Sequence, residues 1–280
     1  MRYQPGGEAG RQAHLKIGGM ALDNGVLFQS ERHWSMAVRT EAGIEVSSGE
    51  KTALSRSYLK KLPLFRGLTS LAESAAIMPE AHAHGGRMPA MMRSPQVLAS
   101  VLLSTVATAA LRNPKKRLPP LAEEAVMAGL AMLPSLIALR GSGVTQYHAA
   151  EHKSINSYES AGLVDEESAQ AARAEHARCG SNIIGPALAL MTVGNALSRR
   201  ALGRQSQAAR LGIGLLSLSG AIEMIQWAAR NPGSLWSRLL TWSGNSLQTL
   251  VTTKEPTDDQ LEVGLAALSE LLRIEGVGSA

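Results

Sequence analysis

The chain has 280 residues, enough for one large domain or two smaller ones, and 45% of them are apolar while only 4% are aromatic and 18% charged. Gly, Ala, Leu, Ser and Met dominate the apolar stretches, which suits closely packed helices. The net charge of +5 does not indicate nucleic acid, because Lys and Arg flank apolar stretches instead of forming one basic face with aromatics.

A mean hydropathy of −0.02 excludes a chain buried in lipid throughout, so a membrane part must be joined to a large polar part. Anionic headgroups account for the excess of basic residues. Cys179 is the single cysteine, so no intrachain disulfide forms. No signal peptide is expected, because Met1 to Leu15 is polar and Gly-rich.

Residues 1–15 read as a disordered tail. Residues 16–50 read as a small β-rich segment, in which Gly18, Gly19, Gly25 and Gly43 punctuate short apolar runs such as Val26-Leu27-Phe28 and Met36-Ala37-Val38. In residues 55–90, Leu59, Leu62, Leu68, Leu71, Ala72 and Ala75 recur at near-helical spacing. This predicts an amphipathic helix interrupted at Pro63 and followed by a loop from Glu80 to Gly86. His82 and His84, two apart on that loop, read as exposed side chains ahead of metal ligands.

Four apolar stretches come next, Pro95 to Leu111, Leu121 to Leu139, Ser181 to Leu197 and Leu211 to Ala228. Each approaches the roughly 17 to 25 residues that span a bilayer. They predict a mainly α, multi-pass helical membrane protein: a first hairpin over residues 91–140, a second over 181–229, and a polar helical insertion over 141–180 between them. A bundle of helices outside a membrane is the alternative. Glu123 and Glu124 read as solvated helix-start residues. Basic residues fall at both ends of the stretches, so charge does not orient them.

The insertion predicts one helix from Thr145 to Ser160 and another capped by Asp165 and running to Arg178, with Gly162 and Gly180 as stops. In the C-terminal region, 230–280, Thr257 to Gln260 has the form of a capping box ahead of Leu261, Leu265, Leu268 and Leu272.

Chemistry concentrates in His148-Ala-Ala-Glu151-His152. On a helix the two histidines stand at i and i+4, so both imidazoles reach one ion, and Glu151 at i+3 reaches a water on that ion as general base. His-x-x-Glu-His is the pattern of inverted zincin peptidases. Two surface histidines in salt bridges are the plainer reading of the same motif. A third ligand must come from elsewhere, and His176 and Cys179, three apart at a predicted helix end, have suitable chemistry, whereas Cys179 alone would read as a small buried residue. Glu159 lies about 10 Å along the helix from His152, too far to share its ion. Glu223, inside the last apolar stretch, reads either as a ligand or proton relay or as the partner of Arg210 or Arg230.

Three motifs in order, Tyr147-His-Ala-Ala-Glu-His-Lys153, His176-Ala-Arg-Cys-Gly180, and Thr252-Thr-Lys-Glu-Pro256 with Asp258-Asp-Gln-Leu-Glu-Val263, resemble the signatures of the YqhQ-like family. Gly18-Gly19, Gly25-Val26 and Pro63-Leu-Phe-Arg66-Gly67 extend the likeness over most of Ile17 to Leu272. Met20, Asp23 and the Ser30-Glu-Arg-His33 loop depart from the pattern. The family is described as multi-pass membrane proteins that are predicted metal-dependent enzymes. The resemblance therefore implies a metal site around His148, His152, His176 and Cys179, without naming a reaction.

The combined expectation is a membrane-embedded hydrolase using zinc or another divalent transition metal. Its partner would be the lipid bilayer, and its place the inner (cytoplasmic) membrane or an internal photosynthetic or organellar membrane. The other expectation is a non-catalytic subunit or assembly factor of a membrane complex, with a structural metal or haem-like cofactor. A closed four-ligand site favours the second and an open position favours the first.

Overall fold

A computed structural model describes residues 15–51, 62–87, 95–111, 119–139, 143–162, 164–203 and 206–277. The expected tail lies outside the described residues except for Leu15. The β-rich segment is a four-stranded antiparallel meander of β1 (Gly18–Ala21), β2 (Gly25–Gln29), β3 (His33–Thr40) and β4 (Gly43–Glu50), with neighbours in chain order. Gly43 makes the tight β3–β4 turn at φ +127°, a conformation that favours glycine.

Both faces of the central strands are covered, which is why Val26-Leu27-Phe28 reads as a continuous apolar run and not as an alternation. Val26, Phe28 and Ala37 pack with Tyr147, Ile155, Val263 and Leu268 on one side, while Leu27, Trp34, Met36 and Val38 pack with Ile77 and Ala81 on the other. The first side is closed by α4 (Val144–Ala161) and α9 (Asp258–Ile274), the second by α1 (Phe65–Ala83). The capping box of α9 forms as expected: Thr257 accepts from the Gln260 backbone and the Gln260 side chain accepts in return. Pro63 marks a turn before α1, with Leu64 in the left-handed region at φ 69°. The helix then continues to Ala83, so most of the expected Glu80–Gly86 loop is its last turn.

The four apolar stretches are helices α2 (Pro95–Leu111), α3 (Pro120–Leu139), α6 (Ser181–Leu202) and α7 (Gln207–Arg230). Helix α2 packs on α3 and α6 on α7, the pairing expected of hairpins. The multi-pass architecture with four membrane spans does not hold. Among the described residues only α7 is long and apolar enough to cross a membrane, while α2 is apolar over the shorter Pro95–Thr108.

Helices α3 and α6 are polar where they meet. The Arg199 guanidinium donates to Glu123 at 2.9 Å and to Glu124 at 2.8 Å, and both carboxylates are buried instead of solvated. The molecule is thus a covered antiparallel sheet joined to a layered helical half, which also includes α8 (Leu235–Leu247) and a π-helical turn, Gln248–Thr252.

The second helix of the polar insertion is shorter than expected. Asp165 caps α5 (Glu166–Ala171) by accepting from the Ser168 backbone, but Ala172 is extended and residues 172–180 form a loop. Helix α4 takes the backbone of this region for itself. Lys153 donates to Gln170 O at 2.8 Å, and Asn156 donates to Arg173 O at 2.7 Å and Glu175 O at 3.0 Å. Carbonyls engaged by side chains in this way are not left to build further helical turns.

Candidate metal centre

Helix α4 presents His148 and His152 on one face, with ring centroids 4.3 Å apart. Each imidazole is fixed through Nδ1, which donates to a backbone carbonyl: His148 to Thr252 O at 2.9 Å and His152 to Ala174 O at 2.6 Å. With Nδ1 as the N–H, Nε2 of each neutral ring carries a lone pair. The 172–180 loop brings Cys179 to the same point, with Sγ 3.2 Å from His148 Nε2. The ligand atoms of His148, His152 and Cys179 all lie within 4.8 Å of one another, so the three form a cluster that can hold a metal ion.

The surroundings fit that role. Metal-binding histidines ordinarily have their second nitrogen tied to a carbonyl or carboxylate, and both do here. Burial lowers the proton affinity of His152, reinforced by His148 and partly opposed by Cys179, which favours the neutral, ligating form of the ring. Ser181 Oγ donates to Cys179 Sγ at 3.2 Å.

The loop itself is pinned from behind by fully buried Gln248, whose Oε1 accepts from His176 N at 2.8 Å and whose Nε2 donates to His176 O at 3.3 Å. Asn182 adds donations to His176 O at 3.2 Å and Ala177 O at 2.9 Å. Gln248 and Thr252 stand four apart on the π-helical turn, so that turn holds the loop with one residue and His148 with the other.

His176 is beside the cluster, its ring centroid 5.6 Å from that of His152, but its Nε2 turns to Glu159 Oε2 at 3.4 Å. Burial alone would raise the Glu159 carboxyl, yet His176 and Arg178 outweigh it and hold the group below its ordinary value. Sequence spacing excluded Glu159 as a ligand of the same ion and did not reveal this second role.

Glu151 is buried on α4 against β1. A β-carbon on Gly19 would stand 2.2 Å from Glu151 Oε1, so a side chain here would displace the carboxyl. Burial raises the pKa of Glu151, opposed by the histidines His148 and His176. Glu223 is not among the three clustered ligands. Its carboxylate accepts from Leu64 N at 3.1 Å, at the start of α1. Gly19, Glu159, Ala174, Gln248 and Thr252 were not singled out by sequence reasoning as parts of the site. Three of the five act through backbone atoms or the lack of a side chain, which leave no chemical signature in a sequence.

No solved structure matches the chain. It is 28% identical to the uncharacterized protein YqhQ of Bacillus subtilis (strain 168), in an alignment covering 93% of each protein. Residues 135–274, half of the chain, match the family described as "Protein of unknown function (DUF1385)". That span contains His148, Glu151, His152, the 172–180 loop and Thr252, and by it the chain belongs to the DUF1385 family, in keeping with the YqhQ-like motifs.

Proposed function

We propose that the chain is a metal-dependent hydrolase whose ion, zinc or another divalent transition metal, is held by His148, His152 and Cys179, with Glu151 as the group that takes and returns a proton. One observation carries this reading. Both histidines are locked through Nδ1 onto backbone carbonyls, so that Nε2 and the Cys179 sulfur converge. Two imidazoles and one thiolate suit zinc, and three protein ligands leave a fourth position open, the arrangement of catalytic sites.

A bound ion would supply Lewis acidity, polarising a water or a substrate carbonyl. The chain supplies the rest. Thr252 and Ala174 orient the imidazoles, Ser181 donates to the thiolate, and burial of Glu151 raises the proton affinity of its carboxyl towards that of a useful acid–base group. The substrate would be a peptide, amide or lipid-soluble molecule.

The second reading is a structural site in a subunit of a membrane complex. It is favoured by the 5.6 Å separation of the His176 and His152 rings, because His176 turned away from Glu159 would be a fourth ligand and close the site.

Metal content of the purified chain, measured by inductively coupled plasma mass spectrometry, tests the centre. About one ion per chain, lost in His148→Ala and in Cys179→Ala, is the expected result for a three-ligand site. Folded protein that never met a chelator yet holds no stoichiometric metal would sink both readings. Glu151→Gln separates them: it retains the ion in each case, but abolishes turnover in a hydrolase screen only if Glu151 moves the proton.

A further inference from the structure

The large exposed apolar side chains are unevenly placed. On the sheet Val46 is the only one, whereas α2, α3, α6, α7 and α8 expose many, including Leu102, Leu216 and Leu235. Three of the four tryptophans, Trp227, Trp236 and Trp242, are exposed, and only Trp34 is buried. Tryptophan is ordinarily well buried in a folded chain, so this distribution asks for an occupant.

Helix α8 is the most informative part. Its inner face packs on α6 and α7 through Ser237 and Gly244, where a β-carbon on Gly244 would stand 2.1 Å from Asn182 Oδ1. Its outer face aligns Leu235, Leu239 and Trp242 at i, i+4 and i+7, with Trp236 beside them, and Leu250 on the π-helical turn follows at 80% exposure.

We infer that the outer face of α8 and the π-helical turn seats the molecule on an anionic lipid surface, with the tryptophans at headgroup depth and Leu235, Leu239 and Leu250 reaching the acyl boundary. Charge selects this occupant. From Met224 to Lys254 the chain has no acidic residue, while Arg230, Arg238 and Lys254 are basic. A shallow groove lined by Arg238, Trp242, Asn245 and Leu250 puts one cation beside an indole over an apolar rim, a set that suits a phosphate headgroup, while Thr249 at its edge donates to Glu175 at 3.2 Å.

The same segment reaches the metal centre. Leu250 faces outward from the turn whose Gln248 and Thr252 point inward to His176 and His148. The lipid face and the cluster are therefore opposite sides of one rigid element.

The test uses the full chain reconstituted into vesicles of phosphatidylcholine and phosphatidylglycerol, with and without bromine on the acyl chains. Bromine is expected to quench tryptophan emission, and the Trp236→Phe/Trp242→Phe double variant is expected to lose most of the bromine-sensitive component. Arg238→Gln is expected to weaken the dependence of quenching on phosphatidylglycerol, and an unchanged dependence overturns the role given to the groove. Bromine-sensitive emission that is the same in the wild type and the double variant overturns the proposal. So does shielding of both tryptophans in a chemically cross-linked pair of chains, which would give the face to a second copy. Metal content read on the same samples keeps this outcome separate from that of the metal centre, because neither substitution touches a ligand.

Discussion

Gly19 and Glu151 meet where β1 packs against α4, one of the helices that cover the sheet. With Glu151 Oε1 2.2 Å from where a β-carbon would be, Gly19→Ala forces either β1 or the buried carboxyl to move. Overpacking of this kind costs about 1–3 kcal/mol, which chemical denaturation would register as a lower midpoint with an unchanged slope. If only the carboxyl moves, bound metal is retained. If the shift passes along α4 to His148 and His152, metal content falls as well. A Gly19→Ala chain as stable as the wild type would mean that the Glu151 side chain moves aside without cost. At this scale the sequence revealed the side-chain donors, because His148 and His152 are separated by one helical turn and Cys179 has ligand chemistry. It did not reveal Thr252 O or Ala174 O, since every residue has a carbonyl and only the fold selects which one faces an imidazole. His176 is the instructive intermediate case: its chemistry suited a ligand, but nothing in the spacing showed that Glu159, on α4, would take its Nε2.

The helices themselves were legible to within a few residues where periodicity and caps coincide. Pro95–Leu111 forms over the expected residues, and α9 begins at the expected capping box. Helix α5 was overestimated because Glu166 to Arg178 contains no helix breaker, while the cause of its early end lies on α4, in the donors Lys153, His152 and Asn156. Polarity was misjudged for α3. Glu123 and Glu124 read as solvated because a sequence window does not include Arg199, which lies more than seventy residues later. That pairing makes a prediction for the α3–α6 contact. Arg199→Leu leaves two buried carboxylates without their cation, and breaking a buried pair from one side costs about 3–5 kcal/mol. Thermal unfolding is expected to move to distinctly lower temperature. Glu123→Gln/Glu124→Gln/Arg199→Leu, which removes the charges on both sides, is expected to recover much of the loss, and no recovery would mean that Arg199 acts through packing alone.

At the scale of the whole molecule, the hydropathy of four stretches suggested four spans, but hydropathy cannot register that α3 and α6 spend polar side chains on each other or that a sheet anchors the other half. What joins the halves is the cluster. His148 and His152 belong to α4, which packs on the sheet, whereas Cys179 lies on a loop pinned by Gln248 of the π-helical turn and by Asn182 of α6. An ion bound by these three would tie helix, loop and turn together, and a ligand that binds only the folded state adds RT ln(1 + [L]/Kd), about 2.7 kcal/mol at a hundred times Kd. Removing metal with a chelator is therefore expected to lower the unfolding temperature, and zinc is expected to restore it. Amide hydrogen exchange should localise the change. The loop from Ala172 to Gly180 and the turn from Gln248 to Thr252 lose protection on chelation, while β2 and β3 keep theirs, because the sheet core is closed by α1, α4 and α9 without help from the loop. Loss of protection spread evenly over sheet and loop would instead mean that the two halves unfold as one unit, and uniform indifference to the chelator would leave the imidazoles and the cysteine sulfur as a hydrogen-bonded knot with no ion to hold.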